Sequence, residues 1–219
     1  MNVDVRAELL RLASLPSWGR AQHDDWDTHS DFIYHIHSLD DLRQKTREVA
    51  ATAGLPLDGF ARYVVHRWYN YHTHQVVLDI LCAHPRVRRE ANPRHRQVDL
   101  YLDGVPFDLK LTPLPRAYPH DLAHAQARPE HLVNWLYRNQ STQRRYHTAN
   151  RLFMLLYHAG DPRRAWEVRR MFDLLGRCSA TFLEDPRLIR ADFRSADGQR
   201  QRPWAGVIPC IYEAKPELG

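Results

Sequence analysis

From Gln97 to Leu111 apolar and polar residues alternate on both sides of Asp103-Gly104. Asp-Gly between two alternating runs signals a two-residue β-hairpin turn, and it sets the register: 102 against 105, 100 against 107, 99 against 108. Val98, Leu100, Leu102, Val105, Phe107, Leu109 and Leu111 then share one face. Gln97, Asp99, Tyr101, Asp108 and Lys110 share the other.

Elsewhere the pattern predicts helices over Val5 to Leu15 and Leu39 to Ala53, the second capped by Ser38 and ended by Gly54 and Pro56, with Asp24-Asp25-Trp26-Asp27 as an acidic loop between them. Phe60, Val64, Trp68, Tyr71, Gln75, Leu78 and Cys82 recur at helical spacing behind Asp58 as a cap. A short extended piece, Arg86 to Glu90, and a polar loop, Ala91 to Arg96, lead into the hairpin. A Pro- and His-rich connection, Pro113 to Arg128, leads out of it to a helix from Pro129 to about Tyr146. Leu152 to Tyr157 is apolar throughout, as a strand buried on both faces is. A third helix over Pro162 to Leu175 and late strands over Leu188 to Phe193 and Val207 to Tyr212 complete the chain. The expectation is an α/β fold: a mixed sheet of about four or five strands with helices on both faces. Within a single domain, 1–57 forms a helical N-terminal arm, 58–160 the core, and 161–219 a C-terminal helix and strands.

The 219 residues suffice for a sizeable core, and 26% charged with 43% hydrophobic residues is a globular composition. No run approaches a spanning helix, and the start lacks the form of a signal peptide. Cys82, Cys178 and Cys210 are odd in number and widely spaced, which fits reduced thiols in a cytoplasmic protein. A net charge of +5, carried mostly by arginine, favours a polyanionic partner such as nucleic acid.

Asp99 opposite Asp108 needs an offset, because two carboxylates about 5 Å apart oppose each other by roughly 3 kcal/mol at an effective dielectric of about 20. A hard divalent cation supplies it, and Lys110 on the same face adds a positive charge.

Helix, strands, hairpin, helix and buried strand, with Asp99 on one hairpin strand and Asp108-Leu109-Lys110 on the next, resemble the restriction-endonuclease-like PD-(D/E)xK nuclease superfamily over residues 58 to 160. The residue before Asp99 is Val98 where the pattern has Pro, and the second acid is Asp. The resemblance implies an αβββαβ core and a Mg²⁺-dependent DNA endonuclease, with Mn²⁺ as a substitute. Asp99, Asp108 and the Leu109 carbonyl would hold one or two metal ions, and Lys110 would act on the attacking water to give 5′-phosphate ends. Gln75 or Asp79 on the preceding helix is a further candidate, as is Gln140 with Arg144, or Gln143 with His147, on the following one. Within the class, a type II restriction enzyme or related defence nuclease acting as a homodimer is expected. The alternatives are a DNA repair nuclease and a non-catalytic nucleic-acid-binding or assembly protein on the same fold.

Arg94, His95, Arg96 and Arg144 are candidate nucleic-acid contacts. Among fourteen histidines, His35-x-His37 and His72-x-His74 have metal-ligand spacings, but 72 and 74 fall on a helix, where an i, i+2 pair points to different sides. No P-loop implies a nucleotide cofactor and no Gly-x-Ser-x-Gly elbow implies a serine nucleophile.

Overall fold

The computed structural model describes residues 3–16, 25–92, 95, 97–139, 149–194 and 198–213. It resolves into two compact units, Met1–Val76 and Val77–Gly219, with the boundary inside a long helix.

In the first unit, helix α1 (Val5–Leu10) is capped by Asp4, whose carboxylate accepts from the Arg6 N–H. Helix α2 (Asp25–His29) replaces the loop expected there, because Trp26 packs edge-on against Phe60 and Tyr63. Helix α3 (Leu39–Ala53) has the expected limits: the Ser38 hydroxyl accepts from the Asp40 and Asp41 N–H groups, and Gly54 ends it at φ 64°. Helix α4 (Leu57–Cys82) begins one residue before Asp58, and its Phe60, Val64 and Trp68 are fully buried.

The second unit is built on a six-stranded sheet in the order β1-β2-β3-β4-β8-β5. Strands β1 (Val87–Arg89), β2 (Leu100–Leu102) and β3 (Val105–Pro113) form an antiparallel meander; β4 (Arg151–His158) and β8 (Trp204–Tyr212) continue it in parallel, and β5 (Leu188–Arg190) closes it antiparallel to β8. Between β3 and β4 the chain forms helices α5 (Leu122–Ala127) and α6 (Pro129–Asn139). After β4, helices α7 (Ala165–Val168) and α8 (Phe172–Glu184) replace the one expected helix, and β6 (Phe193–Arg194) with β7 (Arg200–Gln201) makes a separate hairpin. The six strands exceed the expectation because β5 and β8 join the main sheet.

The core has two layers, one on each face of the sheet. Leu152, Met154 and Leu156 of β4 pack with Val77 and Leu81 of α4 and Leu175 and Leu183 of α8. Phe153 and Leu155, which alternate with them, pack with Leu132, Val133, Leu136 and Tyr137 of α6. This two-sided burial explains why 152–157 reads as one unbroken apolar run. The polar face of the hairpin therefore lies on the same side of the sheet as α6.

Candidate active site

Leu102 opposite Val105 and Leu100 opposite Phe107 match the expected register, but the third expected pair, Asp99 with Asp108, is not part of the ladder. Asp103 and Gly104 both have positive φ, 49° and 83°, as a type I′ turn requires. The ladder stops at Leu100, so Asp99 lies just beyond its last pair. The Asp99 N–H donates to the Phe107 carbonyl at 2.9 Å. Its carboxylate, in place of a β2 carbonyl, accepts the Leu109 N–H at 2.7 Å.

The backbone of β3 determines which groups face this side chain. The Asp108 N–H donates to the Asn150 carbonyl at the start of β4, at 2.9 Å. Polar backbone groups alternate along a strand, so Leu109 turns its N–H and its carbonyl the opposite way, toward Asp99.

Asp108 is 6% exposed. Lys110, two residues along on the same face, places Nζ 2.7 Å from Asp108 Oδ1. Arg151, the register partner of Asp108 on β4, places Nε 3.3 Å from Oδ2, and both side chains of that pair are less than one-tenth exposed. Burial pushes the Asp108 carboxyl above its usual range; Lys110 and Arg151 pull it down, and the Asp99 charge adds to the upward push. The Arg151 guanidinium lies over the Tyr137 ring at 5.1 Å, and the Tyr137 hydroxyl donates to the Ala149 carbonyl at 2.9 Å. Asn150 secures the start of β4, donating to the Pro106 carbonyl at 3.1 Å and accepting the Trp204 N–H at 2.8 Å.

Asp99, Asp108, Leu109 and Lys110 thus meet where the β2–β3 ladder ends. Comparison of the chain with protein-family models, curated proteins and solved structures finds no match. The site's chemistry is therefore read from its own residues.

Other candidates are less directly engaged. Asp79 is exposed and paired with Arg89 at 2.6 Å. Gln75 is half-buried on the part of α4 that belongs to the first unit. His95 is exposed, and its Nδ1 accepts the Gln97 and Val98 N–H groups at 3.3 and 3.0 Å, turning the chain into the hairpin. Arg94, Arg96, Gln140, Gln143, Arg144 and His147 lie outside the described residues. His72 is buried with Nε2 3.0 Å from the Ile33 carbonyl, whereas His74 is only partly buried.

Arg151 and Tyr137 were missed in the sequence. Arg151 borders the apolar run and enters the site only through the parallel pairing of β3 with β4. A second group was also missed: His120, His124 and His131 bring their ring nitrogens within 4.8 Å of one another. Partial desolvation, then the neighbouring His120 and His131 and the Arg128 charge, hold His124 below the usual imidazole range.

Proposed function

We propose that this protein is a metal-dependent endonuclease that hydrolyses DNA phosphodiester bonds at Asp99, Asp108 and Lys110. The observation that carries the reading is the convergence of two carboxylates and a lysine at the end of one hairpin ladder, with the Leu109 carbonyl facing the same side. Two carboxylates and a backbone carbonyl are all-oxygen donors, the set a hard dication such as Mg²⁺ prefers, and Mn²⁺ accepts the same set. The buried Asp108 carboxyl, pushed up by desolvation and by Asp99, gains from any added positive charge.

A bound Mg²⁺ supplies charge to offset that on the pentacoordinate phosphorus and lowers the pKa of a coordinated water. The protein's part is positional. The Leu109 N–H orients Asp99 through its 2.7 Å hydrogen bond, and Arg151 holds Asp108 from the β4 side. Lys110, whose side chain is 44% exposed, is the more accessible of the two cations paired with Asp108. Were Asp108 to hold the metal, Lys110 would be free to orient the attacking water and stabilise the developing charge. The basic composition suits a DNA partner, and a homodimer with one such site per chain would cut both strands. Restriction or a related defence role is the preferred context, with repair as the alternative.

A second reading, a non-catalytic nucleic-acid-binding or assembly protein, is favoured by the engagement of both Asp108 oxygens with Lys110 and Arg151. Digesting a large unmethylated phage genome in Mg²⁺, beside EDTA and Lys110→Ala controls, separates the two readings. Discrete bands lost in both controls support a sequence-specific nuclease, and a smear lost in both supports a non-specific one. Intact DNA, together with a melting temperature unmoved by millimolar Mg²⁺, Mn²⁺ or Ca²⁺, supports the charge cluster.

A further inference from the structure

The chain from β3 to β4 carries three imidazoles on one patch. His120 precedes the Asp121 cap of α5, His124 lies in the first turn of α5, and His131 lies in the first turn of α6. The His124 Nε2 and His131 Nδ1 atoms are 3.0 Å apart, and the His120 and His124 rings stack at 3.8 Å. We propose that His120, His124 and His131 form a binding site for a transition-metal dication of the Zn²⁺ class, separate from the carboxylate site and independent of the nuclease reading.

The geometry is near that of a bound ion. Tetrahedral zinc with Zn–N bonds of about 2.05 Å holds its ligand nitrogens about 3.3 Å apart. The 124–131 pair stands at 3.0 Å, within about 0.3 Å of that separation, and all three nitrogens lie within 4.8 Å, a gap that rotation of the exposed His120 side chain would close. The backbone presets two of the ligands. The Asp121 carboxylate accepts the His124 N–H at 2.8 Å, the Arg128 N–H donates to the His124 carbonyl at 2.8 Å, and the His131 N–H donates to the Arg128 carbonyl at 3.0 Å. His120 and His131 are exposed and His124 is half-buried, so the ion has a direct path in and a fourth position open to water or a substrate atom.

The donor set also discriminates between metals. Three imidazoles without carboxylate or thiolate select Zn²⁺, Ni²⁺, Co²⁺ or Cu²⁺ over Mg²⁺ and Ca²⁺. A bound ion would cross-link α5, six residues long and too short to be stable alone, to α6. Tyr137, which packs on Arg151, lies about 9 Å farther along α6 at 1.5 Å per residue.

The test is equilibrium dialysis of the full chain against Zn²⁺ in excess Mg²⁺, with bound metal counted by mass spectrometry and Co²⁺ absorption as a coordination readout. A single Zn²⁺ per chain is expected. His124→Ala and His131→Ala should each weaken it by more than about tenfold, because losing even an outer-shell partner costs about 10–100-fold. His131→Gln is a second variant at an exposed position, and circular dichroism checks that every variant is folded. Asp108→Asn and the exposed His35→Ala should leave Zn²⁺ binding unchanged. Absence of stoichiometric Zn²⁺, wild-type affinity in the His124 and His131 variants, or loss in Asp108→Asn or His35→Ala would overturn the site.

Discussion

Lys110 Nζ lies 2.7 Å from Asp108 Oδ1, so the lysine already satisfies one oxygen of the carboxylate. The two residues share a strand face because side chains repeat every second position. On the proposed reading, a metal ion bound at Asp108 would take the place of this counter-ion pair and release the ammonium.

This competition makes a split expectation for Lys110→Ala. Cleavage should fall by about 10²–10⁴-fold, the usual contribution of a positioned acid–base group. Metal binding, read as the shift in melting temperature with Ca²⁺, should persist or tighten, because Asp108 has lost a competitor. Asp108→Asn should lose both cleavage and shift. A Lys110→Ala protein that also loses the Ca²⁺ shift would remove the competition argument.

Arg151 is the buried partner of Asp108, with a side chain only 7% exposed. Arg151→Met should cost about 3 kcal/mol in urea unfolding, because it leaves a buried carboxylate short of charge. Lys110 still pairs with Asp108, so the loss falls at the low end for breaking a buried ion pair. The double variant Asp108→Asn with Arg151→Met should lose less than the sum of the two single variants. Additive losses would mean that the pair is not coupled.

The contrast between these two residues shows how far the site could be read before the fold was known. Lys110 was legible because Asp103-Gly104 sets the hairpin register locally, and the register orders the side chains. Arg151 was not, since its place depends on pairing between strands joined through two helices. The same reason hid the three histidines, which converge only when α5 turns into α6. Asp24 to Asp27 reads as an acidic loop, yet Asp25–His29 folds as a helix because Trp26 has Phe60 and Tyr63 to pack on. Burial of that ring overrides local propensity. The α3 limits were legible, because Ser38 and Gly54 act through their own neighbours.

The turn gives a stability prediction tied to the site. Gly104 sits at φ 83°, and Arg86 grips the Asp103 carboxylate at 2.6 to 3.2 Å. Gly104→Ala should cost about 1–2 kcal/mol through a strained positive φ. Asp103→Asn should cost less, since asparagine tolerates that conformation and keeps one acceptor for Arg86. Urea titrations of the two variants provide the comparison; equal losses would place the cost in the ion pair instead.

The first unit carries its own pH dependence. Burial lowers the His72 imidazole from its ordinary value near 6.5 to about 4, against the upward pull of its hydrogen bond to the Ile33 carbonyl. Between those values the unfolded chain binds a proton that the folded chain refuses. Stability therefore rises with pH across this window: it is fully present above about 6.5 and is lost as pH falls toward 4. A shift of this size corresponds to on the order of 3 kcal/mol. His66, also lowered by burial, acts in the same direction. His72→Gln keeps a donor for the Ile33 carbonyl and removes the proton uptake, so it should flatten the acid limb without abolishing it. Hydrogen exchange resolved to α3 and the first turns of α4, measured from pH 4 to 7, gives the slope. An unchanged slope in the variant would assign the acid sensitivity to His66 or to another group.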